Sequence, residues 1–147
     1  MQRTAIPRWA ILPLRILVGC GFMQHGFSKL SKGPDVFASI LQQLSVPMPH
    51  FAAWLTIGTE ILGGLAILLG AFVAWASIPM AAVLLVAIFS VHLQYGFSSV
   101  KLLSVSAAGA RFGPVGYELN LLYLAALVIL ALQGPGPFSI DSARERG

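Results

Sequence analysis

The chain has 147 residues, 57% of them hydrophobic and only 10% charged, with nine Lys and Arg against five Asp and Glu and a net charge of +4. Ordinary soluble domains carry about 25% charged residues, so the charged skin of a soluble globule is missing and the composition is that of an integral membrane protein. A single cysteine, Cys20, excludes a disulfide framework or a multi-cysteine metal site within the chain, and the scattered basic residues form no run that would bind nucleic acid.

A bilayer crossing takes about 20 apolar residues, and the first candidate runs from Trp9 to Phe27. Arg3 and Arg8 ahead of it resemble the start of a signal peptide, and Leu17-Val18-Gly19-Cys20 resembles a lipoprotein cleavage box. Arg15 interrupts the apolar core before that box, however, so the segment is expected to be retained as a span. In the connection that follows, Pro34 can open a helix, and Val36, Phe37, Ile40, Leu41 and Leu44 recur at helical spacing. This predicts an amphipathic helix from Pro34 to Leu44 lying at the membrane interface. The turn Val46-Pro47-Met48-Pro49 feeds a second span from Phe51 to Gly70, and Ala71 to Ala74 link it tightly to a third, from Trp75 to Tyr95. The 96–115 connection is rich in Gly and Ser, carries Lys101 and Arg111, and is expected to be irregular. A fourth span runs from Gly116 to Leu132.

No ten-residue alternation of a membrane β-barrel is visible, and lipid leaves backbone polar groups no partner outside a helix. The expected fold is therefore all-α: a single transmembrane domain over residues 1–147, a four-helix bundle with a short interfacial helix between spans one and two. Trp9, Trp54 and Trp75 fall near span ends, where membrane-interface aromatics belong. Four spans place both termini on one side, with Arg3, Arg8, Arg144 and Arg146, against Lys29, Lys32, Lys101 and Arg111 on the other. Arg15 tips that balance towards cytoplasmic termini.

A charge at the centre of a span costs about 2.5–3.5 kcal/mol on insertion scales, so Arg15, Glu60 and Glu118 each need a reason to be there. His25, His92, Gln24, Gln94 and Asn120 join them. Alternating span direction gathers His25, Lys29, His92 and Glu118 at one end of the bundle, with Glu60 deeper, which describes a polar pocket walled by aromatic and aliphatic side chains. The same residues also have a purely architectural reading. Arg15 could pair with Glu60 and Lys29 with Glu118, while the two histidines bond to backbone carbonyls or to each other, fixing helix register without chemistry. The sequence leaves both readings open. Gly19, Gly21, Gly26, Gly58, Gly63 and Gly64 allow close helix approach. No Glu-x-x-His pair and no His-Glu-x-x-His element occurs on a span, so no metal is expected. Cys20 has no cation on its helical face and reads as packing.

The run Arg15-Ile16-Leu17-Val18-Gly19, followed by His25-Gly26 and Lys29-Leu30, resembles the first span of DoxX-family membrane proteins. Glu60-Ile61-Leu62-Gly63-Gly64 with Leu68-Leu69-Gly70 is similar to that family's second span, and Tyr117-Glu118-Leu119 to the start of its fourth. The tail Gly134-Pro135-Gly136-Pro137-Phe138-Ser139-Ile140-Asp141 is similar to the family's closing Gly-Pro-Gly…Ser-Leu-Asp, with Phe138 and Ile140 as mild departures. The resemblance implies a small four-helix protein of the bacterial inner membrane, with relatives that include a subunit of thiosulfate:quinone oxidoreductase and proteins linked to redox homeostasis. The family-like positions are Arg15, His25, Lys29, Glu60, Glu118 and Asp141.

On that basis the expected function is quinone-linked redox work, as an accessory or an oxidoreductase subunit. His25, Glu60, His92 and Glu118 are the candidate catalytic residues for proton exchange and relay, and Arg15 and Lys29 the candidate cofactor-binding cations that stabilise anionic forms of a quinone. No flavin, haem or nicotinamide motif is visible, so electrons are expected from a soluble or membrane redox partner. The rival expectation is a non-enzymatic membrane anchor or scaffold that recruits redox enzymes. A small-molecule carrier has little support without a broken central helix. Membrane lipid surrounds the chain in every reading, and a thin four-span bundle is compatible with a homo-oligomer.

Overall fold

The computed structural model describes residues 8–144. Arg3 and Arg146, which enter the comparison of charge on the two sides, lie outside the described residues. A short 3-10 turn at Arg8–Ala10 leads into α1 (Ile11–Lys32), which continues past the expected boundary at Phe27. Lys29 and Lys32 occupy its last turn, where cations oppose the helix dipole, and Gly33 ends it at φ 100°. Helix α2 (Pro34–Gln43) starts as expected, with Pro34 in the first turn and Asp35 beside it. Helix α3 (Pro49–Leu69) follows the double-proline turn and stops at Gly70, whose left-handed φ of 66° closes the helix without a Cβ penalty.

Helix α4 (Val73–Ala87) runs through Pro79 and then changes pitch. Ile88–His92 form one π-helical turn and Leu93–Tyr95 a 3-10 turn, so the third expected span is a continuous rod in three pitches. The 96–115 connection departs from the irregular loop expected of it. Strands β1 (Leu102–Ser106) and β2 (Gly109–Phe112) pair as an antiparallel hairpin, with a register irregularity between Leu102 and Ser104. Every strand residue is exposed. Leu103-Ser104-Val105-Ser106 does alternate apolar and polar residues, but the run is only four residues long and neither of its faces is buried, so it marks no core-facing side. Helix α5 (Glu118–Gln133) and a short α6 (Ile140–Arg144) complete the chain.

Helix α1 packs along α3, α3 against α4, α4 against α5, and α5 returns to α1, while α2 lies on α3. The α1–α3 contact is the closest, because two glycines face each other. A Cβ on Gly19 would come within 2.8 Å of the Gly64 carbonyl, and one on Gly64 within 2.7 Å of the Gly19 carbonyl. Val18, Phe22, Ile67, Val73, Met80, Leu84, Leu127 and Leu130 form the core between these helices. A separate cluster of Ala38, Leu41 and Ala53 seats α2.

The outside is as apolar as the inside: Leu62 is 67% exposed, Trp75 75% and Leu132 80%. A soluble monomer rarely presents such a continuous apolar surface. Pro49–Leu69 and Val73–Tyr95 are long and apolar enough to cross a membrane. The 16 residues of α5 reach about 24 Å at 1.5 Å per residue, short of a hydrocarbon core of roughly 30 Å. Among the described residues the protein is mostly helical, with two membrane-capable helices.

Candidate functional site

The site is built around a contact between α1 and α3. Gly26, one turn before Lys29, has no side chain to hold the helices apart; a Cβ there would meet Ile61 Cγ1 at 2.6 Å and Glu60 Cβ at 3.1 Å. That close approach lets Lys29, in the last turn of α1, reach Glu60, in the middle of α3. Lys29 Nζ donates to both Glu60 carboxylate oxygens at 2.7 Å. Glu60 is buried, and the ammonium lies 5.3 Å from the centroid of the Phe37 ring on α2. A charge pair that is desolvated on one side and bonded to two oxygens is strongly geometry-dependent, so the small residues around it serve the pair as much as the packing.

Lys29 and Glu60 form part of the wall of a cavity of about 280 Å³ between α1, α4 and α5, together with Phe22, His25, His92, Asn120 and Tyr123. The Tyr123 ring sits edge-on to Phe22, 5.5 Å between centroids and perpendicular, and to His25 at 6.4 Å and 71°. His25 is exposed, and among the described residues its ring nitrogens have no hydrogen-bond partner. His92 comes from the π turn, and its Nδ1 lies 3.0 Å from the Val115 carbonyl. A carbonyl can only accept, so Nδ1 carries the hydrogen and Nε2 is the exchangeable position of that ring. The π turn is where α4 departs from regular pitch, a feature common at functional positions in helices.

The cavity thus gathers His25, Lys29, Glu60 and His92 from the expected set, but neither Arg15 nor Glu118. Arg15 is buried near the other end of α1, where its guanidinium donates to the carbonyls of Pro135, Pro137 (3.1 Å) and Phe138 (2.7 Å). It grips the Gly-Pro-Gly-Pro tail and does not pair with Glu60. Glu118 accepts a hydrogen bond from the Ser99 backbone N–H at 3.0 Å, and Leu119 N–H donates to Ser99 Oγ at 3.2 Å. These bonds tie the loop before the hairpin to the start of α5, and the Lys29–Glu118 pairing expected from sequence gives way to Lys29–Glu60. Asp141, the last family-like position, accepts from the Phe72 and Val73 N–H groups at 2.9 and 3.2 Å and so caps the start of α4. Cys20, read as packing, is exposed on the outer surface.

Tyr123 and Phe22 are cavity residues that the sequence reading passed over, because an aromatic in an apolar helix looks like core. A signal was present in Asn120-x-x-Tyr123, which sets a polar and an aromatic side chain on one face of α5. Among the described residues no three His, Cys, Asp or Glu side chains come together in a way that could hold a metal ion. Chemically, the cavity offers hydrogen-bond donors, two imidazoles and an internally neutralised ion pair behind an aromatic wall.

The chain is similar to an uncharacterized protein of Haemophilus influenzae, 25% identical over 137 residues that cover 90% of this chain and 82% of the relative. No solved structure matches it. The family model described as DoxX matches residues 10–93, a stretch running from the start of α1 to the turn after the π segment. That segment supplies His25, Lys29, Glu60 and His92, the titratable wall of the cavity, and makes up more than half of the sequence: the chain belongs to the DoxX family.

Proposed function

We propose that the protein is a multi-pass protein of the bacterial inner membrane and that its cavity binds the head of a quinone as part of a quinone-linked redox system. In this reading α1, α3, the α4 rod and α5 cross the bilayer as a four-helix bundle, the bilayer thinning locally to match the shorter α5. Helix α2 lies at the interface, and both termini face the cytoplasm. The observation that carries it is the convergence of His25, His92 and the Lys29–Glu60 pair on one cavity walled by Phe22 and Tyr123.

The residues fit such a head. At about 280 Å³ the cavity is near the lower end of small-molecule sites. Lys29 has three N–H donors, of which two point to Glu60, leaving the third for a ligand carbonyl. When bound, a quinone supplies the redox chemistry, taking two electrons from a partner protein and two protons to become the hydroquinone. The chain's own part is to hold the carbonyls and handle those protons. His92, with Nδ1 committed to Val115, exchanges through Nε2, and His25 stands free beside Tyr123. Imidazole is the side chain suited to both directions of transfer at neutral pH. Glu60 holds Lys29 in place, while Arg15 and Glu118 act at a distance by fixing the tail and the loop.

The test is the double variant His25→Ala with His92→Ala in the full chain. Loss of quinone binding and of quinone-dependent redox activity, with thermal unfolding unchanged, is expected. Unchanged binding and activity in that variant would sink the proposal.

A second reading, a membrane anchor that recruits a redox enzyme, is favoured by the hairpin at 102–112. It exposes Leu102, Leu103, Val105 and Phe112. Native mass spectrometry in mild detergent separates the two. A soluble partner bound in stoichiometric amount and lost when the hairpin is deleted supports the anchor, whereas quinone bound to the isolated chain supports the first reading.

A further inference from the structure

A second cavity, of about 450 Å³, lies between α2, α3 and α4. It shares Lys29, Glu60, Val83, Ala87 and His92 with the first, so the two spaces meet at the ion pair. Their chemistry differs. Beyond these shared residues, the first adds His25 and Tyr123, while the second is walled by Phe37, Ile40, Leu41, Leu55 and Val86, with only a few hydroxyls such as Thr56. Ile40, Leu55 and Val86 are themselves exposed, so this cavity opens on the apolar outer surface of the protein.

Building on the quinone-head reading above, we infer that the wide cavity is the tail subsite of the same ligand, which is an amphiphile with an uncharged head and an alkyl or isoprenoid chain that enters sideways from the lipid. Two observations set the chemical class. Lys29 and Glu60 already neutralise one another across 2.7 Å, so a head carrying net charge would leave one charge buried without a partner. This selects a neutral carbonyl-bearing head over a phosphate or carboxylate. The apolar passage leading to that pair accommodates a chain that never has to leave an apolar medium. Lipid tails are as apolar as the cavity wall, so the wide space adds little attraction by hydrophobicity. Its role is to let the head reach the ion pair while the tail stays solvated by aliphatic groups. Helix α2 roofs the passage, with Phe37 placed against Lys29 where head and tail spaces join.

The experiment compares two probes on the full chain in mild detergent: a benzoquinone bearing a decyl tail, and the same benzoquinone with a methyl group in its place. Thr56→Phe and Ala82→Phe each fill the wide cavity without touching the head space, and either suffices should the other fail to fold. The ratio of the two affinities in each protein cancels partitioning of the tailed probe into micelles. That ratio is expected to fall by about ten-fold or more in the filled variants, a modest value for the cost of overpacking. Binding of the tailless probe is expected to stay within about two-fold of the unsubstituted protein, because neither Thr56 nor Ala82 lines the head cavity. Filling that alters neither probe, or both alike, overturns the tail subsite while leaving the quinone-head reading standing. A phospholipid that co-purifies, is lost in the filled variants and is not displaced by the tailed probe overturns it as well, by identifying a different occupant. Failure of both probes to bind the unsubstituted protein refutes the head reading and the tail subsite with it.

Discussion

Breaking the Lys29–Glu60 pair from one side or the other should have unequal consequences. With Nζ 2.7 Å from each carboxylate oxygen, the Coulomb energy is about 6 kcal/mol at an effective dielectric near 20. Most of that offsets desolvation, and removing one partner of a buried pair typically costs about 3–5 kcal/mol. The two partners are not equally buried: the Glu60 side chain is 7% exposed and that of Lys29 25%. Lys29→Met strands the more buried charge, so a loss in the upper part of that range, about 4–5 kcal/mol, is expected. Glu60→Gln leaves an ammonium whose flexible stem can carry it towards the open side, so a loss of about 3 kcal/mol or less is expected. The double variant has no stranded charge and should lose no more than about 2 kcal/mol, less than either single change. Reversible unfolding by SDS in mixed micelles measures all four corners of this cycle. Losses that simply add in the double variant would refute the coupling between the two charges. A larger loss for Glu60→Gln than for Lys29→Met would refute the asymmetry drawn from their burial.

Other changes probe the frame that holds the site. Arg15→Lys keeps the charge but not the planar fork that reaches the Pro135, Pro137 and Phe138 carbonyls. A loss of about 2–3 kcal/mol, typical of charge-assisted hydrogen bonds, is expected, with faster amide exchange across residues 134–142; unchanged exchange there contradicts the clasp. Asp141→Ala removes the acceptors for the Phe72 and Val73 N–H groups and should cost about 1 kcal/mol in thermal unfolding, with Asp141→Asn recovering part of it. Gly64→Val drives a side chain into the Gly19 carbonyl and should lose about 2 kcal/mol or more. Gly58→Ala meets nothing within 4 Å and should be neutral or gain up to about 1 kcal/mol from helix propensity. Equal effects at the two glycines would mean that the α1–α3 approach is looser than described.

How far the site was legible depends on the kind of signal each residue carried. His25, Lys29, Glu60 and His92 stood out because ionisable groups in apolar segments are costly, and alternating spans bring the ends of α1 and the α4 rod together. Their partners did not stand out. The sequence suggested pairing Lys29 with Glu118 and Arg15 with Glu60, whereas Gly26 brings Lys29 to Glu60 by letting α1 approach α3 at that level. Arg15 looked like part of the same polar set. Its partners are backbone carbonyls in the Gly-Pro-Gly-Pro tail, and a carbonyl is the one acceptor every residue supplies, so no side-chain pattern could announce the contact.

The sequence by itself determined that this is a helical protein of apolar composition, where its long helices lie and which ionisable side chains they carry. Composition and period are local properties, and a helix satisfies its own backbone within a few residues. It also carried the motifs of the DoxX family. The tertiary structure decided which charges meet and that Arg15 and Asp141 secure the tail and α4, while only His25, Lys29, Glu60 and His92 of the expected set line the cavity. It also decided that the hairpin forms with both faces exposed and that a second, apolar cavity joins the first at the ion pair. Most of these features depend on the rotation and spacing of helices distant in sequence, set by a few glycine contacts and by hydrogen bonds to backbone atoms. Those are quantities that residue identity alone does not encode.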